Sequence, residues 1–256
     1  MRYGIIDCMR RAVSKLTRIY SSQALAPGAV IALRDAAGRH LTQVLRAAAG
    51  DRVVVFNDGM EYTGEIVSLD KRGVSVKLAT GGAVDRESPL PCVLAQAISS
   101  GERMDLTLQK ATELGVAAIQ PLFSERSVVR LDHERAAKRV EHWQEVVIAA
   151  CEQCGRNKVP PVAAPQPVLE WLNALPPPDD ELRVLMSPHA TQRLAELAPP
   201  ARILLMTGPE GGFTELENEF AAKRGFMSLR LGPRVLRTET AALAALAAFN
   251  TRWGDF

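Results

Sequence analysis

Between Arg202 and Phe249 the chain states one pattern twice: a short apolar run, a break at glycine and proline, then a helix start. Ile203–Thr207 is an apolar run of strand length, broken by Gly208-Pro209-Glu210-Gly211-Gly212. Glycines there permit backbone angles and close approaches that a Cβ forbids. Thr214 stands three residues before Glu217, the spacing of a capping box that opens a helix. Met227–Leu231 gives a second strand, broken at Gly232-Pro233, and Thr238 is placed to cap an Ala/Leu-rich helix over Ala241–Phe249. Strands that end in such loops and lead into helices belong to an open α/β sheet, whose ligands gather at the carboxyl ends of the strands. The loops suggest a ligand lying against bare backbone, with tight structural turns as the alternative. A P-loop is excluded, because no Lys-Ser/Thr follows the glycines, and no G-x-G-x-x-G is present.

Upstream the rhythm supports the same class. Cys92–Ile98, Val116–Leu122 and Leu182–Met186 are short, continuously apolar strands, the type that suits a parallel sheet covered on both faces. Met104–Leu114 has helical spacing and stops at Gly115, and Arg135–Glu152 is a long helix with Val140, Trp143, Val147, Ile148 and Cys151 on its apolar face. Pro-rich stretches near Pro160 and Pro176 read as loops. Gly81–Pro91 is polar and rich in Gly and Pro, which places a linker over 83–91 and a second domain over 92–256. Before it, Ala29–Leu33, Arg52–Phe56, Tyr62–Leu69 and Val74–Leu78 are strand candidates, with a hairpin signal at Asp58-Gly59 and helical spacing over His40–Ala48. A small barrel over 18–82 accommodates them, and small barrels often bind RNA.

The totals exclude more than they assign. With 47% apolar residues the chain can pack a core, and no run approaches the length of a membrane span. Four unevenly spaced cysteines are no disulfide framework and point to a reduced, cytoplasmic setting. Net charge is only +2, yet residues 1–60 carry nine Lys/Arg against four Asp/Glu, a balance that favours polyanion contact through that part. Residues 1–17 form a basic extension with no apolar core for a secretory signal, and Met9 offers an internal start. Cys151 and Cys154 form a C-x-x-C at a helix end, with no second ligand pair for zinc and no helix N-terminus to activate a thiol. We read them as structural cysteines and expect no metal.

GPEGGFTELE (208–217) followed by LGPRVLRTETAALAAL (231–246) closely resembles the two signature segments of the RsmE family, SPOUT-class enzymes that methylate N3 of a uridine in 16S ribosomal RNA. HLTQVLRAAAGDRVVVFNDG (40–59), QKATELG (109–115) and ACEQCGRNKVP (150–160) are similar to further family segments, and the likeness spans Arg18–Trp253. The resemblance implies an α/β fold: a C-terminal SPOUT α/β-knot domain, with a parallel sheet and a deep trefoil knot, behind an N-terminal PUA-like small β-barrel. It implies S-adenosyl-L-methionine as cofactor, the decoding region of the small ribosomal subunit as substrate, and a homodimer whose sites use both chains. The rivals are a SPOUT 2′-O-ribose methyltransferase, a non-catalytic RNA-binding protein and, more remotely, a thiol redox protein.

Backbone around Met206, Thr207, Gly208, Gly211 and Gly212, and around Leu231, Gly232, Val235 and Leu236, is expected to hold the adenosine, since apolar side chains and unpaired amides suit an adenine ring. N3 of uracil lies on the Watson–Crick edge and carries a hydrogen, so the base must be exposed and that proton removed. Arg237 beside a carbonyl oxygen would stabilise the resulting anion, and Glu210 or Glu239 would accept the proton. An exposed turn residue and a dipole-favoured helix residue are the plainer readings of Glu210 and Glu239. Arg18 and Arg46 match basic positions that the family presents to RNA, and Lys110, Glu152, Gln153, Arg156 and Asn157 match its substrate-side segments, so the resemblance implies RNA contact for all of them. Arg126 follows a strand end, where loop residues are placed for binding. Solvated surface charge is the alternative for each arginine, and pairing with Glu113 for Lys110.

Overall fold

The computed structural model describes residues 16–33, 37–38, 41–42, 46–70, 73–127 and 133–256. The extension up to residue 15, with Cys8 and Met9, and most of the helical spacing expected over 40–48 lie outside these residues. The chain divides into two compact units, one of residues 1–86 with 155–158, the other of 87–154 with 159–256.

In the first unit, β1 (Thr17–Tyr20), β2 (Val30–Ala32), β3 (Arg52–Asn57), β4 (Met60–Asp70) and β5 (Gly73–Ala83) form one sheet in the order β1-β3-β4-β5-β2. β1 runs parallel to β3, and the remaining pairs are antiparallel. Asp58 and Gly59 have φ of 39° and 80°, as a two-residue turn matching the strand twist requires. Val53, Val55, Tyr62, Ile66, Val74, Val76 and Leu78 face one core together with Ile19 and Ile31. Register shifts at Tyr62/Gly64 and Ile66/Ser68 mark bulges, which bend β4. β5 continues to Ala83 because Gly81 and Gly82 still pair with Tyr62 and Glu61, so the start of the expected linker is strand.

The second unit is built on a seven-stranded sheet whose paired strands all run parallel, in the order β10-β12-β9-β11-β6-β7-β8. The strands are β6 (Cys92–Ala97), β7 (Ala118–Phe123), β8 (Gln166–Pro167), β9 (Glu181–Met186), β10 (Gln192–Arg193), β11 (Arg202–Thr207) and β12 (Met227–Arg230). The helices are α1 (Glu102–Glu113), α2 (His133–Cys154), α3 (Val168–Ala174), α4 (Glu215–Lys223) and α5 (Thr238–Trp253). Two cores explain the continuous apolar runs. Ile203 and Leu205 of β11 face Met104 and Leu108 of α1, Trp143 and Val147 of α2, and Leu246 and Phe249 of α5. Leu204 and Met206 face the other way, towards Trp171 and Leu172 of α3 and Ala221 of α4. A strand sandwiched between two helical layers has no polar side, so it shows no alternation.

Two local expectations change. Thr238 does not cap α5: Arg237 is the N-cap, without a side-chain bond, and Thr238 begins the helix with its hydroxyl turned inward. α3 falls between the two proline-rich stretches that read as loops, where no helix is expected; it is seven residues long and held by Val168, Trp171 and Leu172 in the core. Among the described residues no helix is long and apolar enough to cross a membrane.

Candidate active site

Three strand ends of the second unit meet at one place. β11 stops at Thr207 and gives way to Gly208–Gly212. Gly212 sits at φ 68°, where an L side chain is strained, and a Cβ on Gly208 would lie 3.3 Å from the Phe213 ring. The loop is fixed on its far side by the capping box of α4. Thr214 Oγ1 accepts from the Glu217 amide at 3.2 Å, and Glu217 Oε2 accepts from the Thr214 amide at 2.8 Å. Glu217, 3% exposed, also accepts from Ser124 Oγ and the Glu125 amide, both at 3.0 Å. Arg126 Nη1 donates to the Gly211 carbonyl at 3.1 Å, which ties the Ser124–Ser127 turn to the same loop. The second loop leaves β12 after Arg230, passes Gly232 at φ 80°, and enters α5.

Between the two loops lies a cavity of about 440 Å³, within the range of small-molecule sites. Thr207, Gly208, Gly212, Leu231, Val235 and Leu236 line it, as do Glu210, Arg237 and Glu239. Met206 is fully buried beneath it in the core, and Gly211 and Gly232 belong to the loops without lining the cavity. Sequence reasoning missed part of the wall. Met186 ends β9, Ser187 and Pro188 follow it, and Arg103 and Arg230 add charge. The signal for Met186–Pro188 was β9 itself, a third parallel strand whose end loop must open at the same edge.

The two carboxylates differ. Glu210 Oε1 accepts from Arg103 Nη1 at 2.8 Å, and the Ser100 amide and hydroxyl each lie 3.4 Å away. Burial works to raise its pKa. Hydrogen bonds from its own backbone N–H, the Arg103 guanidinium and the Ser100 amide outweigh that, and hold the carboxyl below its ordinary range. Glu239, in the first turn of α5, is only 9% exposed, and its Oε2 is buried with no hydrogen-bond partner. A buried carboxylate oxygen left this way costs about 1–3 kcal/mol and calls for an explanation. Arg237 and Arg234 are exposed and Arg230 is half-buried, and among the described residues none of their side chains has an ion pair or hydrogen bond.

The remaining candidates do not join this cavity. Arg18, Arg156 and Asn157 come together in the first unit, where Arg18 is 9% exposed and stacks 4.6 Å above the Phe56 ring. Its guanidinium donates to Glu61 Oε2 at 2.6 Å, to the Arg156 carbonyl at 3.3 Å and to Asn157 Oδ1. Arg86 Nη1 also donates to Glu61 Oε2, at 2.9 Å. Burial acts to raise the Glu61 pKa, but the bonds and charges of Arg86 and Arg18 prevail and bring it to about 2. Arg18 is thus committed inside the protein rather than displayed as surface charge. Arg46 is exposed, at a φ of 51°. Lys110 pairs with Glu113 at 2.8 and 3.1 Å, and Glu152 and Gln153 end α2, the first half-buried and the second exposed. Cys92 and Cys151 are buried and Cys154 half-buried, and burial raises the Cys92 thiol far above its ordinary range. Among the described residues no group of three His, Cys, Asp or Glu side chains could hold a metal ion.

Residues 86–250 match an RNA methyltransferase domain, and residues 33–79 match an RNA methyltransferase PUA domain. The ribosomal RNA small subunit methyltransferase E of Buchnera aphidicola subsp. Schizaphis graminum is 35% identical, over 94% of this chain and 98% of its own. The fold is similar to a methyltransferase from Legionella pneumophila solved with the bound cofactor SAM, with a TM-score of 0.90 and 40% identity over 94% of this chain and 100% of that one. A ribosomal RNA small subunit methyltransferase E from Neisseria gonorrhoeae bound to S-adenosyl methionine is 44% identical, with a TM-score of 0.86 over 94% of this chain and 99% of that one. With its methyltransferase domain matched from residue 86 to 250 and such relatives along nearly its whole length, the chain belongs to the ribosomal RNA small subunit methyltransferase E family.

Proposed function

We propose that this protein transfers the methyl group of S-adenosylmethionine to N3 of a uridine in 16S ribosomal RNA. The observation that carries the reading is the cavity between the two glycine loops, in a chain of this family, with Glu239 in its wall and one oxygen of that residue buried without a partner. The residues present fit the cofactor. Gly208 and Gly212 leave bare backbone where a side chain would clash or strain, and Leu231, Val235 and Leu236 offer apolar contact for an adenine ring. Bound there, S-adenosylmethionine supplies an electrophilic methyl group on a sulfonium.

The protein's own side chains divide the remaining work. Glu239 accepts the N3 proton, because its Oε2 has no other partner. Glu210 is the weaker candidate, since Arg103 occupies its oxygen and lowers its basicity. Arg237, unpaired at the start of α5, steadies the negative charge that N3 deprotonation places on the uracil carbonyl oxygens. Arg230 and Arg234 add positive charge to the same wall, suited to the phosphates that flank an exposed base. Arg46, Lys110, Arg126, Glu152 and Gln153 remain RNA-side candidates. Arg18, Arg156 and Asn157 fit better as a clamp that organises the first unit.

The reading includes a cytoplasmic homodimer, a target in the decoding region of the assembled small subunit, and a trefoil knot. Support for the knot comes from strand order: the chain leaves β9 for the edge at β10, returns to insert β11 between β9 and β6, then places β12 between β9 and β10. The test is direct. Undermethylated small subunits are incubated with methyl-labelled S-adenosylmethionine, digested, and the labelled nucleoside identified. N3-methyluridine is expected. Label on ribose alone would make this a 2′-O-methyltransferase, and cofactor-independent RNA binding without label would make it a non-catalytic RNA-binding protein.

A further inference from the structure

Gln96 lies at the carboxyl end of β6, fully buried, and does not line the cavity. Its side chain nevertheless touches two residues that do. Thr207 Oγ1 lies 2.6 Å from Gln96 Oε1, and Gln96 Nε2 lies 3.0 Å from Thr238 Oγ1 and 2.9 Å from the Ala97 carbonyl. Thr238 Oγ1 in turn lies 2.5 Å from the Gly208 carbonyl.

The direction of this chain follows from one fixed end. A carbonyl only accepts, so the Thr238 hydroxyl spends its single proton on Gly208 and must receive one from its other neighbour. That neighbour is therefore the amide nitrogen of Gln96, which leaves the amide oxygen facing Thr207, and Thr207 must donate. Every group is satisfied in one arrangement only. The chain links the last residue of β11, the first glycine of the first loop, and the first residue of α5, next to Glu239. It also explains why Thr238 is unavailable as a helix cap.

We propose that Gln96 is a positioning residue: one buried amide sets the spacing between the two loops, so that the S-adenosylmethionine site is preformed. This rests on reading the cavity as the methyl-donor site. Preformed sites bind tightly because less ordering accompanies binding. Gln96→Met keeps the length of the side chain and removes its hydrogen bonds. Gln96→Glu carries its own control. Its protonated acid donates to Thr238 and accepts from Thr207, as the amide does, and gives up only the bond to the Ala97 carbonyl, whereas its ionised form cannot donate at all.

The experiment is calorimetric titration of the full chain with S-adenosylmethionine and with S-adenosylhomocysteine, beside the thermal midpoint of the ligand-free protein. Wild-type protein that fails to bind either compound refutes the methyl-donor reading itself, a result distinct from the next ones. With wild type binding, Gln96→Met is expected to weaken Kd at least about tenfold, the scale of one buried hydrogen bond. Gln96→Glu is expected to recover affinity as pH falls from about 8 to about 6, where a buried Glu takes up its proton, over an interval in which wild-type affinity stays level. Affinity of Gln96→Met within twofold of wild type overturns the proposal. So does a Gln96→Glu variant whose affinity is weak and independent of pH, since that is what loss of packing alone produces. If Gln96→Met does not fold, Thr238→Val and Thr238→Ser replace it: weakened binding in the first alone supports the proposal, and equal binding in both overturns it.

Discussion

Replacing Glu239 with Gln is expected to make the protein more stable and nearly inactive at once. Glu239 is 9% exposed, and its Oε2 has no hydrogen-bond partner. Leaving a buried acceptor unsatisfied costs about 1–3 kcal/mol, and a charged one more. Glutamine keeps the shape and removes the charge, so roughly 1–2 kcal/mol should return to the folded state. For a chain of this size each kcal/mol moves Tm by about 2–4 °C, which gives a rise of about 2–8 °C. The same change removes the proposed proton acceptor, and general bases contribute about 10²–10⁴ in rate. A hundredfold loss corresponds to about 2.7 kcal/mol on the barrier. The assay pairs single-turnover methylation of small subunits with thermal unfolding of the ligand-free protein. Glu210→Gln is the comparison: Arg103 already occupies that carboxylate, so activity should fall less than about tenfold and Tm should not rise. Opposite signs for stability and activity are the mark of a group strained for function. The reasoning is refuted if Glu239→Gln retains activity within tenfold of the parent, or if its Tm falls.

Arg237→Ala should lower the methylation rate about 10²–10³-fold while leaving S-adenosylmethionine affinity within threefold, as titration beside single-turnover rates would establish. Gly212→Ala should destabilise by about 1–2 kcal/mol in chemical denaturation from backbone strain alone, because φ is 68° and nothing lies within 4 Å of the added Cβ. Gly212→Asn should cost less, since Asn tolerates that region. Glu61 predicts an acid limb. Its pKa is depressed in the fold, so its contribution is complete above about 4.5 and disappears as pH falls towards about 2. Glu61→Gln should therefore be less stable than wild type at pH 6, and the gap in denaturation midpoint should close through that window; a constant gap would show that Glu61 does not act through its charge.

What could be read from the chain was what is local. Thr214 and Glu217 lie three residues apart and form their capping box in the fold. The continuous apolar runs of β6, β9 and β11 announced a two-sided sheet, because Ile203 and Leu205 enter one core and Leu204 and Met206 the other. What escaped was set by distant partners. Thr238 looked like a cap, but its hydroxyl is taken by the Gly208 carbonyl, thirty residues away. Arg18 matched an RNA-facing position, with surface charge as the alternative, and in the fold Glu61 and Asn157 close around it. Residues 155–158 join the first unit through Asn157, whose amide donates to the Val84 carbonyl and whose own carbonyl accepts from the Gly59 amide. Nothing in their local composition signals that. The two carboxylates were indistinguishable in sequence, and Arg103, far upstream, separates them. α3 was hidden for another reason: seven residues between prolines are too few to display a helical period.

In the proposed reaction the two glycine loops hold the methyl donor with Glu239 facing the reacting group. The most direct check is a crystal structure of the protein with S-adenosylmethionine. Density for the cofactor is expected between Gly208–Gly212 and Leu231–Leu236, its adenosine against loop backbone and its methyl group on the Glu239 side of the cavity. Cofactor bound elsewhere, or loops that close on their own side chains and exclude it, would contradict the proposed site.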